Sequence, residues 1–127
     1  MTDNINHPKH YEPHTGVSFE CIELTSKYGF LAGNVIKYVW RHQRKNGAED
    51  LRKARWYTEA IIADGHREHL RPLPTCASEE ARNMLDQLLA ATIDTREYLV
   101  WCAILAEDPL LLRHVLDGMI RDLEDKE

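Results

Sequence analysis

The chain has 127 residues, 43% hydrophobic and 29% charged, a make-up typical of a globular protein of one domain or one domain with a helical appendage. Its formal charge of −5 is uneven: residues 1–72 carry 11 Lys and Arg against 9 Asp and Glu, and residues 73–127 carry 5 against 12. No apolar run nears the roughly 18–20 residues that cross a membrane, no basic-then-apolar leader opens the chain, and Cys21, Cys76 and Cys102 form no C-x-x-C pair. These features predict a cytoplasmic protein with reduced cysteines, no membrane partner and no zinc.

Residues 1–16 are rich in His, Pro and Asn and read as a polar arm. A first helix is predicted over 17–28, with Phe19, Ile22 and Leu24 as apolar positions and Gly29 closing it. A second runs from 32 or 33 to 45, and Asn46-Gly47 signals a turn. A third spans 48–63, with Glu49 and Asp50 in its first turn, where carboxylates suit the helix dipole. Residues 67–77, with Pro72 and Pro74, read as a linker between an N-terminal module (1–66) and a C-terminal region (78–127). Three more helices are expected, over 78–91, 94–106 and 109–123, opened by Ser78, Asp94 and Asp108-Pro109. No strand-period alternation of useful length appears. The expectation is an all-α, compact helical domain of five or six helices with an N-terminal polar arm.

Within 37–55 stand seven basic residues against Glu49 and Asp50, a local excess of cations on an acidic chain. That suggests an anionic ligand at one place, and no general nucleic-acid coat. On the second helix Asn34, Lys37, Tyr38 and Arg41 fall at i, i+3, i+4 and i+7, one stripe. Ile36, Val39 and Trp40 form a neighbouring inward face. An amide, an ammonium, a phenol and a guanidinium within two turns suit a nucleoside phosphate: Lys and Arg neutralise phosphate, and Tyr stacks on a base. A helix start near Gly33-Asn34 would add backbone N–H groups for an anion. On the third helix Asp50, Lys53 and Tyr57 repeat the arrangement, and antiparallel packing across Asn46-Gly47 would join the stripes. Solvated salt bridging is the competing reading of both stripes.

In the arm, His7 and His10 are spaced as a metal pair but are separated by Pro8, so His10 and Tyr11 read better as contacts folding over a ligand. Glu20 and Glu23, one turn apart, could hold magnesium, accept a proton or stay solvated.

Four segments stand in order: N-H-P-K-H-Y at 6–11, F-E-C-I-E at 19–23, G-N-V-I-K-Y-V-W-R at 33–41 and E-D-L-R-K-A-R-W-Y at 49–57. Together they resemble a small domain of unknown function common in bacteriophage genomes, whose members include a kinase of deoxynucleoside monophosphates. The resemblance covers about residues 6–62. It implies a nucleotide site built from His7, His10, Tyr11, Glu20, Asn34, Lys37, Tyr38, Arg41, Asp50, Lys53 and Tyr57, working in the host-cell cytoplasm.

Three functions compete on this reading. The first is a kinase without a P-loop, since no G-x-x-x-x-G-K-S/T run exists. Lys37, Arg41 and Lys53 would act on phosphates, ATP would be the donor, and Glu20 or Asp50 would serve magnesium or the acceptor. The second is a non-catalytic protein that sequesters a nucleotide or second messenger against host defence. The third is an all-α nucleotide pyrophosphohydrolase using Glu20/Glu23 and Glu49/Asp50, although the E-E-x-x-E run fails at Asn83. The leucine-rich stretch from Leu85 to Ile120 predicts self-association as a homo-oligomer, with packing inside one chain as the alternative.

Overall fold

The computed structural model describes residues 16–65, 67–74 and 78–126. They form six α-helices: α1 (Cys21–Thr25), α2 (Phe30–Arg41), α3 (Ala48–Asp64), α4 (Ser78–Ala91), α5 (Thr95–Leu105) and α6 (Pro109–Asp125). Short 3-10 turns follow α2 (His42–Arg44) and precede α4 (Arg67–Leu70). No strand occurs among the described residues, so the all-α expectation holds.

The helix ends follow local chemistry. Asp94 caps α5 by accepting from the Glu97 N–H at 2.9 Å, and Asp108 caps α6 by accepting from the Leu111 N–H at 3.0 Å. Pro109 sits at the start of α6, where its missing N–H has no intrahelical partner to lose. Gly65 ends α3 in the left-handed conformation, φ +75, that glycine adopts freely.

The first helix is the main correction. It covers 21–25 rather than 17–28, and Gly29 does not close it but stands as the N-cap of α2. α2 therefore starts at Phe30, one turn earlier than expected. The short helix turns Cys21 and Leu24 inward and leaves Ile22 69% exposed, against its expected core role. Phe19 and Leu24 are buried as expected.

One apolar core takes residues from every α-helix, including Val35, Ile36, Val39 and Trp40 of α2, Leu51, Ala54 and Ile61 of α3, and Trp101 and Leu116 of α5 and α6. α2 packs along α3, α3 along α6, and α6 against α5. Much of the leucine-rich C-terminal stretch is consumed inside the chain: Leu85, Leu88, Trp101, Ile104, Leu112 and Leu116 are buried, while Leu99, Leu110 and Leu111 stay exposed. Among the described residues no helix is long and apolar enough to cross a membrane.

The described part of the expected linker is built into this core. Leu70 is fully buried, the Leu73 N–H donates to the Lys27 carbonyl at 2.7 Å, and Arg71 pairs with Glu107 at 3.0 Å. Glu107, in the α5–α6 turn, is the one described non-glycine residue at positive φ (+54). Truncating Leu70 to alanine is expected to cost about 2–5 kcal/mol in urea unfolding, the range for a buried leucine. A loss near zero would mean the segment is only a tether.

Candidate functional site

α2 and α3 run antiparallel across the Asn46–Gly47 turn. Gly47 makes this turn with φ +52, a conformation L side chains rarely adopt, and its N–H donates to the His42 carbonyl at 2.8 Å. The turn places the two polar stripes side by side.

The pairing is tightest at the turn. Arg41 and Asp50 are both buried, and the guanidinium bonds Asp50 Oδ1 through Nη2 at 3.0 Å and Nε at 3.1 Å. Asp50 Oδ2 also accepts from the Asn46 N–H at 3.1 Å, which fastens the turn itself. Each charge satisfies the other in a place where an unpaired ion would be costly.

Further from the turn the stripes open to solvent and become aromatic. Tyr38 of α2 and Tyr57 of α3 stack with centroids 6.1 Å apart and planes 13° from parallel. Phe30 meets Tyr57 edge-on at 5.8 Å, and Trp56 does the same at 5.1 Å. Phe30 and Trp56 are 73% and 65% exposed, while Tyr38 and Tyr57 are half-buried against the core, so the rings form a platform at its edge.

Cations surround that platform. Lys37 Nζ lies 4.4 Å from the Tyr38 ring centroid, Arg41 Cζ 5.0 Å and Lys53 Nζ 5.4 Å, all within cation–π range. From Lys27 to Ala48 the chain holds five basic residues and no acidic one. Asp50 cancels Arg41, and Glu49 faces Lys53 at 3.5 Å in a solvated pair of little strength. Lys37 forms no ion pair among the described residues.

A shallow groove of about 250 Å³ adjoins the platform, bordered by Thr25, Gly29, Phe30, Gly33, Asn34 and Lys37. Because α2 begins at Phe30, Gly33 and Asn34 lie inside the helix. The Gly33 N–H is taken by the Gly29 carbonyl at 2.9 Å, and Asn34 Nδ2 donates to the Phe30 carbonyl at 2.8 Å. The helix start expected at Gly33-Asn34 therefore lies one turn back, where the first N–H groups of α2 follow Gly29.

The remaining sequence-derived positions lie apart. Glu20 precedes α1, and its N–H donates to Glu23 Oε2 at 2.6 Å, so the two residues form a capping box at the start of the helix. Among the described residues no three His, Cys, Asp or Glu side chains converge as a metal site. His7, His10 and Tyr11 lie outside the described residues. Phe30 and Trp56 escaped the sequence reading, although Phe30 stands one turn before Asn34 on the same stripe.

A second buried polar pair flanks the turn. His42 and Glu97 are 6% and 3% exposed, with Nδ1 and Oε1 3.8 Å apart. Burial, reinforced by Asp94, pushes the Glu97 carboxyl up to about 7, against the pull of Trp101 and Arg44. Burial lowers His42 despite its bond to the Val39 carbonyl and the nearby Asp94 and Asp50.

With this geometry in hand, a family model described as a protein of unknown function (DUF3310) matches residues 5–59, under half of the chain. No curated protein and no solved structure matches significantly. The matched span agrees in position with the four motifs, contains the whole platform and brings no activity with it.

Two outcomes test the electrostatics. Asp50→Ala, which removes the carboxylate that Arg41 meets in the interior, is expected to cost about 3–5 kcal/mol, while the double change Arg41→Met with Asp50→Leu costs less than the single one. Urea unfolding measures both, and a single-variant loss under about 1 kcal/mol would contradict a buried pair. For Glu97, the native chain retains a proton that the unfolded chain releases near 4.5. Its contribution to stability therefore falls as pH rises from about 4.5 to about 7. Glu97→Gln removes that loss, so its advantage over the native chain grows with pH and reaches about 3 kcal/mol by pH 8. An equal difference at pH 4.5 and pH 8 would contradict it.

Proposed function

We propose that this chain is a nucleotide-binding protein that stacks a base on the Tyr38–Tyr57–Phe30 platform and holds phosphates with Lys37 and Lys53. The carrying observation is the stacked Tyr38 ring with three cations within 5.4 Å of its centroid. Aromatic faces hold bases at about 1–3 kcal/mol each and tolerate any base, and lysines supply the anion's counter-charge. Trp56 adds exposed aromatic area beside Tyr57. The resemblance of the four N-terminal motifs to a phage domain with a nucleotide kinase among its members supports the same ligand class.

Binding is favoured over transfer by a specific observation. Arg41 and Asp50, which a kinase mechanism would direct at phosphate and acceptor, are engaged with each other in the interior. A kinase would add ATP as donor and magnesium at Glu20 to the same grip; a hydrolase would need Asp50 and Glu49 free for metal. Sequestration of a nucleotide or second messenger needs only the platform.

Native mass spectrometry of protein purified from cells is expected to reveal a bound nucleotide that denaturation releases unchanged. In titrations with deoxynucleoside mono- and triphosphates, Tyr38→Ala and the pair Lys37→Ala/Lys53→Ala each weaken binding at least about tenfold, or about 1.4 kcal/mol. Absence of any nucleotide binding at millimolar concentration overturns the reading. Formation of diphosphate from a deoxynucleoside monophosphate and magnesium-ATP, abolished in the lysine variant, would convert it into the kinase.

A further inference from the structure

A cavity of about 500 Å³ opens where the His42–Arg44 turn meets the start of α5 and the end of α6. It shares no lining residue with the platform. Its size lies within the range of sites for small organic ligands. One wall is apolar, made of Leu51, Met119 and Leu123.

The rim is charged, and its charges are unequally engaged. Asp122 holds Arg96 at 2.9 Å, and Asp94 accepts the Glu97 N–H at 2.9 Å. Lys45 and Lys126, also lining the cavity, have no ion-pair partner among the described residues. Two free ammonium groups beside an apolar wall favour an anion attached to an apolar body.

His42 supplies the third element. It is 6% exposed, lines the cavity, and its Nδ1–H is held by the Val39 carbonyl. That bond fixes the tautomer and leaves Nε2 as the ring's acceptor. Burial lowers the pKa of the ring, which favours the neutral form that carries this lone pair. An acceptor on a residue that lines the cavity can take an N–H or O–H from a molecule held there.

We propose that this cavity is a second ligand site, for a small organic anion. The anionic group sits at Lys45 and Lys126, the apolar body lies on Leu51, Met119 and Leu123, and an N–H or O–H donates to His42 Nε2. Both a phosphate monoester of a nucleoside and a hydroxylated aromatic carboxylate carry this chemistry.

The test is an NMR titration of the full labelled chain with inorganic phosphate, thymidine monophosphate or 4-hydroxybenzoate, following His42 Nε2 and the Met119 methyl. At least one of the two organic anions moves both resonances at millimolar concentration, and which one does so separates a phosphate from a carboxylate ligand. Inorganic phosphate leaves Met119 unmoved. The exposed double change Lys45→Glu/Lys126→Glu weakens the response at least about tenfold, while Tyr38→Ala leaves it intact. The site is overturned if neither organic anion moves the pair of resonances, or if charge reversal has no effect. A response lost in Tyr38→Ala overturns it too, since the binding would then belong to the platform.

Discussion

The Arg41–Asp50 pair is the constraint from which the rest of this structure follows. It is buried at the end of α2 and the start of α3, and the same carboxylate takes the Asn46 N–H of the turn between them. A charge pair so placed adds little net stability compared with a well-packed apolar pair of the same volume. What it fixes is register. Once residues 41 and 50 are opposite each other, antiparallel helices bring Tyr38 against Tyr57 and Lys53 over the Tyr38 ring.

Seen this way, the basic residues of α2 and α3 divide by depth. Arg41 is committed to the interior, and the lysines one turn further from the loop remain at the surface. The division follows side-chain chemistry. A guanidinium tolerates burial when its planar fork meets a carboxylate, whereas an ammonium is more strongly hydrated and stays in water. The outcome is an aromatic platform with positive charge at its edge, carried on two helices packed into the core. His42 extends the same logic to the other flank of the turn, where its ring is tied down by Val39 and lies near the Asp50 charge.

Much of the fold was legible in the sequence because its signals are local. Asp94 and Asp108-Pro109 mark helix starts through groups within one turn, and Gly65 marks an end. The inward face Ile36, Val39 and Trp40 was readable from period alone. The first helix was not, because Gly29 serves equally well as a C-terminal stop or an N-cap, and only packing decides which. The 67–77 stretch was misleading for a similar reason: two prolines suggested a tether, while Leu70 enters the core through tertiary contact. The stripes Asn34/Lys37/Tyr38/Arg41 and Asp50/Lys53/Tyr57 were visible, but their division into a buried pair and an exposed platform was not. The meeting of His42 with Glu97, far apart in sequence, left no local trace.

The central claim is that the Tyr38 ring is a stacking surface for a base. The most direct measurement is the ring-proton chemical shift of Tyr38 and Tyr57 during titration with a deoxynucleoside monophosphate. Stacking predicts saturable upfield shifts of both rings, accompanied by shifts at Lys37 and Lys53. Ring resonances that stay still at saturating nucleotide would contradict the account.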